Sequence, residues 1–469
     1  MRILLALCAV FLAGAAWCET SYLGLYMSGS KIGYSSYTAS DAKLNGKSVK
    51  RNDSLTKMDI GLLGSSMSIQ MKSTTWSTAA GKPVQMAFTM ESSGRKQDVS
   101  AVFNAKTVTV KVNNSGQKST RTISMPPGSV VDDPIPVVLN GHLKPGAVTT
   151  FFVLDPTTIS FVKNEVKYVG KGKTKVGNKS YDALIVEIND TRTVTKVFMS
   201  AKGDLIRMEG PMGIEMLPVS KAIALAPPGK YAPSVDLAYA TSIKTDKPIN
   251  DPSTLSGLSV RVTAKNLKSV PSGDFQTARQ EGPFWLIDVH PPQLDAGISA
   301  SVEEAAAEKP EWTKPGLYIP SDSAEFKKLA GSIVPRGSDA KATALAIQKW
   351  VNKQMKPNAG IGVLRDATEV LKTKEGVCRD YAMLTVTLLR AAGLPAKLAS
   401  GIVNWDGSFY YHAWAEAWDG SRWLGIDSTT DSEQISAAHV KLGEGDVERA
   451  FTFTFLDKAK IEVLGMKRD

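Results

Sequence analysis

A chain of 469 residues with 56 Lys and Arg against 46 Asp and Glu carries a formal charge of +10 and has the length of about three domains at ~150 residues each. Its basic residues form no stripe interleaved with aromatics, which argues against nucleic-acid binding and leaves a solvated surface or attraction to anionic cell-envelope polymers. Cys8, Cys18 and Cys378 are the three cysteines and His142, His290, His412 and His439 the four histidines. Cys8 and Cys18 fall in the N-terminal apolar region, which leaves Cys378 alone and predicts no internal disulfide; the histidines are far apart in sequence and no EF-hand or HExxH pattern appears, so no cofactor or metal is expected.

Arg2 followed by the apolar run Ile3 to Ala16 has the pattern of a signal peptide, too short for a bilayer span of roughly 20 residues. Residues 1–18 are therefore expected to be removed, giving an exported protein of the periplasm or extracellular space. Trp17 before Cys18 disfavours a lipoprotein, because that processing site wants a small residue there. No later segment reaches spanning length without charges.

Residues 19–226 read as an antiparallel β-rich domain. Thr107 to Val112 alternates with period two and ends at Asn113-Asn114-Ser115-Gly116, and shorter runs recur at Met67–Met71, Val84–Met90, Asp182–Ile188 and Thr193–Met199. Pro227-Pro228-Gly229 marks a linker. A smaller β-rich segment at 232–300 follows, with Val260-Arg261-Val262 and Phe284–Val289 as its clearest strands, then a Pro-broken connection over 301–316. Residues 317–469 read as an α+β domain, with helices over Ala340–Met355 and Asp366–Lys372. Its final strands, Phe451–Phe455 and Ile461–Leu464, are expected to complete a sheet after the hairpin described next.

Gly376-Val377-Cys378-Arg379-Asp380 opens a strong helix stopped at Gly393 and Pro395. Cys378 falls in its first turn, where the helix dipole and unpaired N–H groups favour a thiolate and can form part of an oxyanion hole. Tyr410 to Trp418 then alternates, with Ala413, Ala415 and Ala417 on one face and His412, Trp414 and Glu416 on the other. The small face suits close packing of the Cys378 helix. Asp419-Gly420 is a hairpin signal. A two-residue turn pairs Trp418 with Ser421 and so His412 directly with Asp427, within reach of an imidazole–carboxylate hydrogen bond. Cys378, His412 and Asp427 thus have the chemistry of a nucleophile, its base and the group that orients the base. Singly, each residue reads as easily as a buried thiol, a strand histidine or a turn cap; the joint arrangement favours catalysis.

The blocks Gly376–Ala382, Leu389–Ala396, His412-Ala413-Trp414 and Gly425–Thr429 together resemble the core of the transglutaminase-like superfamily, in order and spacing. The resemblance covers roughly residues 340–430. It implies a papain-like arrangement, a helix bearing the nucleophile against a sheet bearing the base, and acyl transfer through a thioester. Ser428 stands where many relatives have Pro, and for the side chain of the oxyanion hole Trp350 and Asn358 are weak candidates. Such chemistry yields peptide or isopeptide hydrolysis when water accepts the acyl group, the favoured reading here. It yields cross-linking of protein glutamines when a lysine amine does. A protein or peptide is the expected substrate; Tyr410, Trp414 and Trp405 could line the acceptor side, although ordinary packing also explains them. A catalytically idle cell-envelope binding module is the competing class.

Overall fold

The computed structural model describes residues 20–468 apart from 28, 63–64, 93–94, 115, 131–143, 191–192, 228–240, 265–266, 295–298, 360, 362–363, 451–455 and 457–458. The expected signal peptide, most of the Pro-Pro-Gly linker and the Phe451–Phe455 strand lie outside the described residues. The chain divides into two compact units, residues 1–240 with 360–363, and residues 241–359 with 364–469.

The first unit is one sheet of fifteen strands. Strands follow one another as antiparallel neighbours from Thr20–Met27 outward to Gln117–Ser124, and again from Val148–Asp155 back to Ile214–Pro218, with Ser129–Val130 at the far edge. That last strand pairs with the first, Leu25 opposite Met216, so the two ends of the unit meet mid-sheet. All pairs are antiparallel except the short Ser129–Val130 against Phe152-Val153. Period-two alternation buries one side: Met86, Phe88 and Met90 of one strand lie beneath Val99, Ala101 and Phe103 of the next. Antiparallel β-structure is what the alternating runs of 19–226 predict. The longest strand, Ser160–Val176, runs 17 residues and turns at Gly177.

The second unit has three layers. Its central sheet runs Ile243–Lys244, Ser408–Trp418, Ala396–Trp405, His439–Gly445, with Trp423–Ile426 also paired to Ser408–Trp418. Helices cover one side. Ala413, Ala415 and Ala417 pack into a core with Leu384 and Leu388 of the Cys378–Ala391 helix, as the small face predicts. Every residue of that helix from Asp380 to Arg390 is buried, which its unbroken apolar pattern requires. It ends in a Schellman motif: Leu394 N–H donates to Leu389 O at 2.9 Å and Gly393 N–H to Arg390 O at 3.0 Å, with Gly393 at φ +89°.

A four-stranded sheet, Gln276–Glu281, Phe284–Val289, Leu255–Thr263 and Lys460–Arg468, covers the other side. Val260, Val262 and Ile287 meet Ile402, Phe409, Trp414 and Val440 in a second core. The segment read as 232–300 and the domain read as 317–469 therefore share one unit from Thr241 onward. The last strand also differs from expectation. It does not extend the sheet of the hairpin; Ile461 and Val463 pair with Val262 and Val260 in the four-stranded sheet. Both side chains are buried in the core between the sheets.

Candidate active site

Cys378 is held by what surrounds its helix start. Val377 is the N-cap, in extended conformation. Its N–H donates to Asp380 Oδ2 at 3.0 Å, and the same oxygen pairs with Arg365 Nη2 at 3.3 Å; both side chains are fully buried. Arg365 also donates to Thr373 Oγ1 at 2.9 Å and to the Glu375 carbonyl. A buried cation thereby ties the chain just before the cysteine to the helix just after it. A Cβ on Gly376 would stand 2.5 Å from Asp380 Cβ, so only glycine allows this approach. The Cys378 N–H, at the first helical position, has no carbonyl within the helix to bond and can serve an oxygen placed beside the sulfur.

His412 sits mid-strand with its side chain 13% exposed, and its Nε2 lies 2.8 Å from Asp427 Oδ2. Cys378 lies close enough to act on the His412 ring by hydrogen bonding and by charge. With Nε2 engaged, Nδ1 is the nitrogen left for the sulfur. Asp427 closes the return strand. Its Oδ1 accepts from Thr429 N at 2.9 Å and Thr429 Oγ1 at 2.8 Å. The turn that follows is pinned by helices. Gln348 Nε2 donates to the carbonyls of Asp427 and Ser432, and Asn352 Nδ2 to that of Ser428. Ser428 Oγ meets Thr385 Oγ1 at 2.7 Å, a bond that proline at 428 could not make.

The charges reinforce one another. Burial, the largest influence on His412, favours its neutral form, but the charge and hydrogen bond of Asp427, then the hydrogen bond and charge of Cys378, outweigh it and raise its pKa to about 10. Burial likewise acts to raise the Asp427 pKa, and is outweighed by the charge and hydrogen bond of His412 and then those of His439. Its carboxyl is held well below the usual carboxylate range.

The hairpin register differs from expectation. Trp418 pairs with Trp423, Ala417 with Leu424 and Glu416 with Gly425, so the loop is the four residues Asp419 to Arg422. Asp419 accounts for this, since its Oδ1 accepts from the N–H groups of Ser421 and Arg422 and so folds the loop on itself. Extended one step, the register sets Asp427 across from Trp414, diagonal to His412. A slip of two residues keeps every side chain on its face, and the pair still meets. The tight Asp-Gly turn lies instead at Asp406-Gly407, with φ +46° and +75° and Trp405 opposite Ser408.

Trp414 is fully buried, its ring near Phe275, His412 and His439. It belongs to the core between the sheets and lines no acceptor surface. Trp405 is 66% exposed, with Tyr410 edge-on at 6.3 Å. Asn358 donates its amide to Glu375 Oε2 and its backbone N–H to Gly376 O, and Trp350 packs against the helical core.

One residue was not anticipated. His439 heads the strand that pairs with Ala396–Trp405, and its Nε2 lies 3.3 Å from Asp427 Oδ2. The ligand atoms of His412, Asp427 and His439 all fall within 4.8 Å of one another, so these three could hold a metal ion. Alternation alone could have marked His439-Val440-Lys441 as a strand start; its neighbour in space had no local signal.

Residues 327–428 match the model of the transglutaminase-like superfamily. This span takes in Cys378, His412 and Asp427 and stops short of His439. Residues 21–213 match a family described as protein of unknown function DUF3108. An uncharacterised protein of Mycobacterium leprae is 27% identical over 144 residues, 29% of this chain and 50% of that protein. An uncharacterised protein of Mycobacterium tuberculosis is 36% identical over 91 residues, 16% of this chain and 29% of that protein. The chain thus spans half or less of the length of these relatives. Among solved structures, a cysteine-protease candidate from Cytophaga hutchinsonii aligns at TM-score 0.32 and 18% identity, over 46% of this chain and 86% of that one. A β-barrel-like DUF1849 protein from Brucella abortus aligns at TM-score 0.32 and 10% identity, over 44% and 98%. The chain joins an antiparallel β-domain to a transglutaminase-like domain.

Proposed function

We propose that this protein is an exported thiol enzyme that hydrolyses peptide or isopeptide amides. Cys378 is the nucleophile, His412 the base and Asp427 the group that holds the base. Nδ1 of His412 holds the proton given up by the thiol, the Cys378 thiolate attacks the carbonyl carbon, and the Cys378 N–H receives the charge that forms on the oxygen. The proton then passes to the departing amine, leaving a thioester. Water attacks that thioester, giving its proton to His412, and sulfur leaves as thiolate. If a lysine amine enters instead of water, the same site cross-links; the accepting group is chosen by the cleft and not by these three residues. Export rests on the residues of the first eighteen positions, and a protein or peptide substrate on the match to residues 327–428.

The single observation that carries the reading is the unbroken run of contacts from sulfur through imidazole to a buried carboxylate. The tests are alkylation of Cys378 with iodoacetamide and, with separate unmodified protein, digestion of a peptide library with and without an amine donor. Labelling well above the rate of a free thiol near neutral pH, lost in His412→Ala, supports an activated nucleophile. Release of new peptide termini makes it a hydrolase, and incorporation of the amine makes it a transferase. Labelling at the rate of a free thiol, unchanged by His412→Ala, would sink the enzyme and leave a binding module.

A further inference from the structure

Two imidazoles converge on one carboxylate oxygen in the second unit. His412 Nε2 approaches Asp427 Oδ2 at 2.8 Å, a length normal for an N–H donor. His439 Nε2 approaches the same oxygen at 3.3 Å. The other nitrogen of His439, Nδ1, lies 3.1 Å from the Ser436 carbonyl. A carbonyl oxygen can only accept, so Nδ1 carries a hydrogen and Nε2 is the nitrogen turned to the carboxylate. A proton on Nε2 or a metal ion in its place fills the gap between ring and carboxylate.

We infer that His412, Asp427 and His439 form a site for a first-row divalent ion, best matched by Zn2+. The donor set is two imidazole nitrogens and a carboxylate oxygen, the mixture zinc takes when a fourth position stays open. Donation of the far ring N–H to a backbone carbonyl, as His439 makes to Ser436, is the usual outer support of a metal-bound histidine. Size agrees as well. Tetrahedral zinc with bonds near 2.0–2.1 Å needs ligand atoms about 3.3 Å apart. His439 and Asp427 already have that separation, and His412 must draw back by about 0.5 Å from its 2.8 Å contact. The side chains of Asp427 and His439 are 4% and 9% exposed, so little water competes for them.

Ion binding and turnover are then mutually exclusive. The metal takes the place of the proton on His412 Nε2, and that proton leaves to solvent. What remains of the imidazolium after this loss is a neutral ring with its one hydrogen on Nδ1, and passing that hydrogen to a departing amine would leave a metal-bound imidazolate, so the proton transfer that turnover needs is blocked. The site would act as a reversible metal brake. The brake rests on the function proposed above; the binding itself does not, because the thiol is no ligand.

The experiment is equilibrium titration of the full chain with Zn2+ against a chromophoric chelator, with Co2+ as a spectroscopic substitute. Wild type and Cys378→Ser are expected to bind one equivalent with equal affinity. Bound Co2+ should show tetrahedral ligand-field bands without a thiolate charge-transfer band. His439→Gln, close to histidine in size and checked for folding by thermal melting, should weaken binding by at least the 10–100-fold seen for loss of outer-shell partners. Absence of one-to-one binding in the wild type overturns the site, and so does binding that Cys378→Ser abolishes. Equal affinity in His439→Gln would also overturn it, leaving His439 a hydrogen-bond partner of Asp427. If zinc binds as expected but the wild type turns nothing over, the proposed function has failed and the metal site has not.

Discussion

Asp427 reaches His412 along the diagonal of their hairpin, not straight across it. The paired residues stop at Ala415 with Ile426, and the next step places Asp427 across from Trp414. The carboxylate still lies 2.8 Å from the ring, because it has the length to span the diagonal and the 427–432 turn is clamped by Gln348 and Asn352.

That geometry makes the carboxylate's charge the quantity to remove. Asp427→Asn keeps shape and most hydrogen bonding but takes away what raises the basicity of His412. The expected fall in kcat/KM on a cleavable peptide is about 10³–10⁴-fold, the size of loss known when an orienting aspartate becomes asparagine in a serine triad. Steady-state kinetics and the pH profile of Cys378 alkylation check it.

Stability should follow pH through the same pair. His412 is raised from 6.5 to about 10, so its contribution is complete below pH 6.5 and fades as pH climbs to about 10. Asp427 is lowered from 3.8, so its contribution is complete above pH 3.8 and fades as acid protonates it. Between about pH 4 and 6.5 the wild type should exceed His412→Ala by on the order of 2–3 kcal/mol. Denaturant melts at pH 6 and pH 10.5 should show most of that gap closing at the higher pH.

A second buried pair holds the start of the Cys378 helix. Arg365→Met leaves Asp380 charged in a fully buried position, and the expected loss is about 3–5 kcal/mol. Arg365→Met with Asp380→Leu should recover part of that stability but not the rate of Cys378 labelling, since Val377 N–H loses its acceptor. Urea denaturation and alkylation kinetics separate the two effects.

Asp366 caps the Ala367–Thr373 helix by accepting from Glu369 N at 2.9 Å, yet burial raises its pKa to about 6. A raised carboxylate costs stability that builds as pH rises from 3.8 and is complete above about 6. Asparagine caps equally well and carries no charge. Asp366→Asn should therefore leave stability unchanged at pH 4 and raise it by about 1–2 kcal/mol at pH 8, read from melts at both values.

Much of this protein can be read locally. Cys378 at a helix start, His412 on an alternating strand, Asp427 at the end of its return and Gly393 as the stop all follow from patterns a few residues long. The β-character of the first unit follows from the same period-two rule. Each such signal concerns a residue and its chain neighbours, whose geometry the backbone itself restricts.

Tertiary packing decided the rest. Asp419 bonding its own loop moved the register by two, and burial of Ile461 and Val463 carried the last strand to a different sheet. Arg365, fifteen residues from its partner Asp380, and His439, beside Asp427 only because its strand pairs with Ala396–Trp405, have no nearby signal. Contacts between distant segments are set by which apolar faces must be buried together, and charged groups caught at those seams take whatever partners the burial brings.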